Sequence, residues 1–118
     1  MAYVDGYVLP VPKNKLPAYR RVAQRAAKVW RRHGATEYRE AVGNDLNTNM
    51  GVPFPRRVKA KRGETVVFSW VLFKSRAHRD SVNRKVMKDP AMKAIMDSDL
   101  PFNVKRMAYG GFKVIVDR

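Results

Sequence analysis

Residues Glu64 to Lys74 carry β-branched and aromatic side chains on both alternating faces, with Thr65, Val67, Ser69, Val71 and Phe73 on one and Val66, Phe68, Trp70 and Leu72 on the other. The apolar run is far shorter than the roughly 20 residues a bilayer-spanning helix needs, so it reads as a strand. A strand that is apolar on both faces needs cover on both. A chain of 118 residues has room for one core. Helices therefore cover one face of the sheet, and the other calls for a partner. A second copy of the chain is the simplest candidate, so a homodimer is expected.

The rest of the chain arranges itself around that strand. Ala2 to Leu9 alternates, placing Tyr3, Asp5 and Tyr7 on one face, and reads as a first strand closed by Pro10 and Pro12. Asn14 is positioned to cap a helix with Pro17 in its first turn. Leu16, Tyr19, Val22, Ala23, Ala26, Val29, Trp30 and His33 then recur at helical spacing until Gly34 stops it. Thr36 to Val42 reads as a second strand. Residues 43–61 form a long connection punctuated by Gly and Pro, of a kind that is usually functional or packed on a partner. Ser75 caps a helix running to Met87, a short helix covers Pro90 to Met96, and Arg106 to Val116 is a final strand broken by Gly110-Gly111. The order β-α-β-β-α-β is the ferredoxin-like arrangement. It makes the chain one α+β domain over residues 1–118, a four-stranded antiparallel sheet with its helices on one face.

Composition narrows the chemistry. No cysteine is present, which removes disulfides, thiolate nucleophiles and sulfur-ligated zinc. Two histidines are too few for the common all-histidine metal sites. No nucleophile elbow or phosphate loop occurs, and no metal or cofactor is expected. The N-terminus lacks a basic segment followed by an apolar one, so neither export nor membrane insertion is indicated and the cytoplasm is the expected location.

The chain holds 25 Lys and Arg against 10 Asp and Glu, a net charge of +15. Arg20, Arg21, Arg25, Lys28, Arg31 and Arg32 share the first helix, and the like-charged pairs Arg21/Arg25 and Lys28/Arg32 stand one turn apart at a cost of a few tenths of a kcal/mol each. These residues, with Arg56 and Arg57 and the basic stretch to Arg62, make either a solvated face or a polyanion-binding one. The charge is spread evenly, +8 over residues 1–59 and +7 over residues 60–118, which argues against a dedicated nucleic-acid module. Tyr109 to Ile115 is similar to the aromatic signature of RNA-recognition modules but falls on the last strand rather than the third. Its glycines read instead as a bulge and a close strand approach.

A small-molecule pocket would draw on Tyr3, Asp5, Tyr7, His33, Trp70, Arg106 and Tyr109, which mix apolar walls with a few polar groups. Asp5, if buried, requires a cation such as Arg106 or Arg76; otherwise it faces a cavity as a base. His33 lies on the apolar stripe of its helix, as a hydrogen-bonded boundary histidine or a catalytic one. His78, in the first turn of its helix, is expected to be neutral if buried, or merely solvated.

Several segments carry a resemblance to a known family. They are Ala2-Tyr3-Val4-Asp5-Gly6, His33-Gly34-Ala35, Phe54-Pro55-Arg56, Glu64 to Trp70, Lys74 to Asp80, Lys85-Val86-Met87, Asp89-Pro90, Pro101-Phe102, Lys105-Arg106-Met107 and Tyr109 to Lys113. Together they resemble the YbaA-like bacterial family of unknown function over nearly the whole chain. The resemblance implies a ferredoxin-like domain paired into a dimeric α/β barrel, broadly similar to the small-molecule monooxygenases and stress-response proteins of that superfamily, and implies no established reaction. Asn103, and Asn44, Asn47 and Asn49, stand where relatives look acidic. A naturally basic homologue and a positively supercharged scaffold both account for that pattern. Three roles follow as expectations: a homodimer with a small-molecule pocket in each half, a polyanion binder, and an assembly component paired with an oppositely charged protein.

Overall fold

The computed structural model describes residues 1–118. Its strands are β1 (Tyr3–Pro12), β2 (Glu37–Val42), β3 (Glu64–Phe73) and β4 (Ala108–Lys113), and its helices are α1 (Leu16–Arg32), α2 (Phe54–Arg57), α3 (Arg76–Lys88) and α4 (Pro90–Met96). The sheet order is β2-β3-β1-β4, with every neighbouring pair antiparallel. This is the expected α+β ferredoxin-like arrangement, with the strongest apolar strand in the interior of the sheet.

Register assigns the faces. Tyr3 pairs with Phe73, Asp5 with Val71, Tyr7 with Ser69 and Leu9 with Val67, so these residues share one face with Tyr38 and Glu40 of β2 and Tyr109 and Gly111 of β4. α1, α3 and α4 pack on that face, whereas the short α2 lies by the other, its Phe54 ring 6.4 Å from that of Phe68. Tyr19, Ala23, Ala26 and Val29 of α1 are buried at helical spacing, and Val82 and Val86 of α3 with Met92 and Ile95 of α4 complete the core around Val71 and Phe73. The opposite face presents Val4, Val8, Phe68, Trp70, Leu72 and Phe112 to the outside, with Phe68 46% and Phe112 60% exposed.

Four local expectations are corrected. β1 does not end at Pro10 but runs to Pro12, because β4 pairs only as far as Val8 and leaves Leu9–Pro12 with a neighbour on one side, where proline costs a sheet least. Asn14 does not cap α1; it is absorbed in a 3-10 turn, Lys13–Lys15, that leads straight into the helix. β4 is shorter than Arg106 to Val116, because Val104–Arg106 forms a second 3-10 turn and pairing stops at Lys113. Nor do Gly110 and Gly111 make a bulge, since the pairing with β1 is continuous through Gly6↔Gly110 and Asp5↔Gly111. A Cβ on Gly111 would lie 2.6 Å from the Tyr3 hydroxyl and 2.7 Å from an Arg79 nitrogen, so glycine there makes room for those side chains. The other signals hold: Ser75 Oγ accepts from the His78 amide at the start of α3, and Gly34 ends α1 with φ at +113°.

Candidate functional site

Between the helices and the sheet lies a cavity of about 160 Å³. Tyr7, Leu9, Tyr38, Ser69 and Val71 form its floor, Val22, Ala26 and Trp30 of α1 one wall, and α4 with Leu100, Phe102, Val104 and Met107 the cover. Only Glu40 and Ser69 break an otherwise apolar and aromatic lining. An apolar space of roughly 150 Å³ holds one benzene-sized molecule.

Glu40 gives this space its chemistry. Its Oε1 accepts from the Tyr19 hydroxyl and its Oε2 from the Tyr38 hydroxyl, each at 2.7 Å. None of the chain's seven ion pairs includes it. Burial raises its carboxyl above the ordinary glutamate range, and the two tyrosine donors pull it partly back. Burial first, and the neighbouring Glu40 charge second, push both phenols well above their usual range. Outside this partition runs an open groove of about 920 Å³ between α1 and β2, with Arg20, Arg21 and Gln24 among its lining residues. The groove and the cavity share Tyr19, Ala23, Tyr38 and Glu40. The Tyr-Glu-Tyr cluster is thus the boundary between the cavity and the outside.

A second polar group lies beneath α3. Asp5 is fully buried, with Oδ2 accepting from Asn83 at 3.3 Å and Oδ1 3.5 Å from Arg79 Nε. Arg79 also donates to the Tyr3 hydroxyl at 3.0 Å and lies over that ring, and Trp30 Nε1 donates to Asn83 Oδ1 at 3.1 Å. Trp30 is also a wall of the cavity, so a continuous chain of contacts joins the cavity to Asp5. Burial raises the Asp5 carboxyl, against the opposing pull of Asn83 and Arg79. The cation beside Asp5 is Arg79, which corrects the expectation of Arg106 or Arg76: Arg76 is exposed, and Arg106 is engaged elsewhere.

The predicted pocket residues therefore divide. Tyr3, Asp5, Tyr7 and Tyr109 come together on the helix-covered face, where the Tyr7 and Tyr109 rings stack at 4.8 Å, but only Tyr7 of the four lines the cavity. Three lie apart. His33 Nε2 is 2.7 Å from Asp89, which also caps α4 and pairs with Arg32, so His33 fastens the end of α1 to α4. Trp70 is on the open face and donates to Glu37 at 3.0 Å. Arg106 forms a two-pronged pair with Glu64 at 2.7 and 2.9 Å, which holds the Glu64 carboxyl down at about 2. His78 Nδ1 accepts from the Lys74 amide, a role only an unprotonated nitrogen can fill. The group missed in the sequence is Glu40 with its two tyrosines. Its only signal was the alternation Tyr38, Glu40, Val42 in β2, which puts a carboxylate on the covered face.

Of the basic residues, Arg20, Arg21, Arg25 and Lys28 are exposed and Arg56 and Arg57 protrude from α2. Arg31 and Arg32 are engaged within the fold. Arg31 donates to the Ala35 and Thr36 carbonyls, and Arg32 pairs with Asp89 at 2.6 Å. No three His, Asp or Glu side chains stand together as metal ligands, and no helix is long and apolar enough to cross a membrane.

Comparison with known proteins adds relatives. A family model described as a protein of unknown function (DUF1428) matches residues 2–104. The uncharacterized protein YbaA of Escherichia coli K12 is 44% identical over 117 residues, 99% of either chain, and the YbaA protein of Shigella flexneri matches equally. Among solved structures, Rv0793 from Mycobacterium tuberculosis is similar with a TM-score of 0.61 at 12% identity, covering 99% of this chain and 98% of that one. An uncharacterized NIPSNAP domain protein from Burkholderia xenovorans gives 0.57 at 12% identity over 95% and 93%. At that identity the likeness is one of fold alone.

Proposed function

The chain belongs to the DUF1428 family, whose function is unknown, and from the geometry of its cavity we propose that it binds a compact, largely apolar small molecule between its helices and its sheet. The observation that carries this reading is Glu40: a carboxylate without a cation, held by two tyrosine hydroxyls at the polar end of a cavity otherwise lined by apolar and aromatic groups. Its two hydrogen bonds fasten α1 to β2, yet a packed apolar core could do that without burying a carboxylate, whereas a ligand site uses it to orient one polar atom of a molecule whose remainder fits the apolar wall. Met92, Met96 and Met107 in the cover are flexible enough to adapt to that molecule. Thermal denaturation and proton NMR with phenol, indole and cyclohexanone test the reading. Binding should raise the melting temperature and shift resonances of Trp30 and Tyr38, and Ala26→Leu, which fills the cavity, should abolish both effects. Shifts that persist in the filled variant would place the ligand elsewhere.

The working unit in this proposal is a homodimer closed through the open sheet face. The exposure of Phe68 and Phe112 beside Trp70 favours it, because a contiguous aromatic and aliphatic face on one side of a sheet is costly to leave in water. Sedimentation at micromolar concentration checks the state directly.

A further inference from the structure

We propose that Glu40 is the base of a proton transfer in this cavity, removing a proton from the carbon beside the carbonyl of a compact cyclic or branched ketone. The inference rests on the cavity being a ligand site and assigns that site a reaction. Each Glu40 oxygen accepts one tyrosine hydroxyl at 2.7 Å, which leaves lone pairs on both for a further proton. The groups around it are Tyr19 from α1, Tyr38 from β2, Tyr7 from β1 and Ser69 from β3. Arg20 and Arg21 border the groove outside, and α4 brings only apolar side chains. No histidine reaches the cavity and no hydrogen bond joins Ser69 to Glu40, so a serine nucleophile has no base to activate it. The arrangement suits an acid–base step instead.

In that step the ligand's C–H bond breaks and its electron pair forms the carbon–carbon double bond of an enolate. The carbonyl oxygen takes the negative charge, and the proton forms a new O–H bond on Glu40. Once Glu40 is neutral, the Tyr19 and Tyr38 hydroxyls lose their charged acceptor and are free to donate to the enolate oxygen. The developing charge thus meets donors that stand beside Glu40 and need only turn from it. Glu40 also lines the open groove, where its proton can exchange with solvent; transfer of the exchanged proton back to the same carbon completes an isotope exchange, and transfer to another carbon conjugated with it completes an isomerisation, neither of which needs an oxidant, reductant or second substrate. Burial, which raises the Glu40 carboxyl, moves it toward the range in which a general base works best near neutral pH.

The test is deuterium exchange at the carbons beside the carbonyl of cyclohexanone in heavy water, followed by NMR on the intact protein and on Glu40→Gln, with binding measured on the same samples. Wild type should exchange above the buffer rate. Glu40→Gln should bind and lose about 100-fold or more of that rate, the usual minimum contribution of a positioned base. Tyr19→Phe and Tyr38→Phe should keep exchange at a reduced rate. Wild type that binds without exchanging, or Glu40→Gln that exchanges at the wild-type rate, overturns the assignment while leaving the binding site intact. Cyclohexanone that binds to neither protein removes the pocket reading and this inference together. If Glu40→Gln does not fold, Glu40→Asp withdraws the carboxylate by one methylene, and an unchanged rate in it is equally fatal.

Discussion

The Tyr19 hydroxyl donates to Glu40 Oε1 at 2.7 Å across 21 residues of chain, and this single bond joins the long helix to the edge strand of the sheet. Removing the donor in Tyr19→Phe should destabilise the fold by about 1.5–3 kcal/mol at neutral pH, the range for a hydrogen bond to a charged group. The acceptor behaves differently. Glu40 titrates higher in the folded chain than an ordinary glutamate, so its contribution to stability is full below the unfolded value and is lost as pH rises through the folded one. Glutamine does not titrate. Wild type should therefore gain stability relative to Glu40→Gln as urea denaturation is carried from about pH 8 to about pH 4. A difference that stays flat across that range would show that Glu40 is not held in a desolvated setting.

Asp5 and Arg79 predict an asymmetry. Arg79→Met leaves a fully buried carboxylate without its cation and should cost about 3–5 kcal/mol. Asp5→Asn should cost less, because the Arg79 side chain is 19% exposed and keeps its bond to Tyr3. Combining the two substitutions should recover part of the loss caused by Arg79→Met. Equal costs for the two single variants in equilibrium denaturation would mean that the pair is not electrostatically linked.

Much of the fold is visible in the chain because strong local signals agree with it. The two-faced strand, the helical stripe from Tyr19 to Val29, the Ser75 cap and the Gly34 stop are each decided within a few residues. The errors arose where a neighbour decides. Pro10 and Pro12 stay in β1 because β4 has already ended, and Gly111 exists for Arg79, which approaches from α3. Of the cavity lining only Tyr7 was legible in the predicted set; Tyr3, Asp5 and Tyr109 belong to the neighbouring polar cluster beneath α3. Tyr3, Asp5, Tyr7 and Tyr109 gather because strand alternation places them together. His33 and Arg106 look chemical in isolation, yet their partners Asp89 and Glu64 make them fastenings. Glu40 was hidden for the opposite reason: one acid in a charged chain reveals nothing until Tyr19, 21 residues earlier, is seen to reach it.

The open sheet face predicts a variant that separates association from folding. Phe112 is 60% exposed in the single chain, so Phe112→Asp should leave the far-ultraviolet circular dichroism unchanged and shift a sedimenting dimer to monomer. Phe68→Asp should act in the same direction with a larger loss of stability, because Phe68 also contacts the Trp70 and Phe54 rings. Wild type that already sediments as a monomer at micromolar concentration would rule the interface out.

The basic residues of α1 divide into two classes with opposite expected behaviour. Arg20, Arg21, Arg25 and Lys28 are exposed and engage no acidic side chain, whereas Arg31 closes the turn after the helix through the Ala35 and Thr36 carbonyls and Arg32 holds Asp89. Converting the first four to Gln should leave the melting temperature unchanged or slightly higher, because the Arg21/Arg25 like-charge pair is relieved by a few tenths of a kcal/mol. Converting Arg31 and Arg32 should lower it. If the exposed four contact duplex DNA, binding follows counterion release, with a slope of log affinity on log salt of about −0.9 for each phosphate neutralised. The fourfold variant should then flatten that slope by up to about 3.6, four contacts at that value, with no dependence on base sequence. Filter binding over a salt series reads this directly. An unchanged slope in the variant would assign any retention to cations elsewhere, and no retention at low salt would leave the helix face as solvated charge alone.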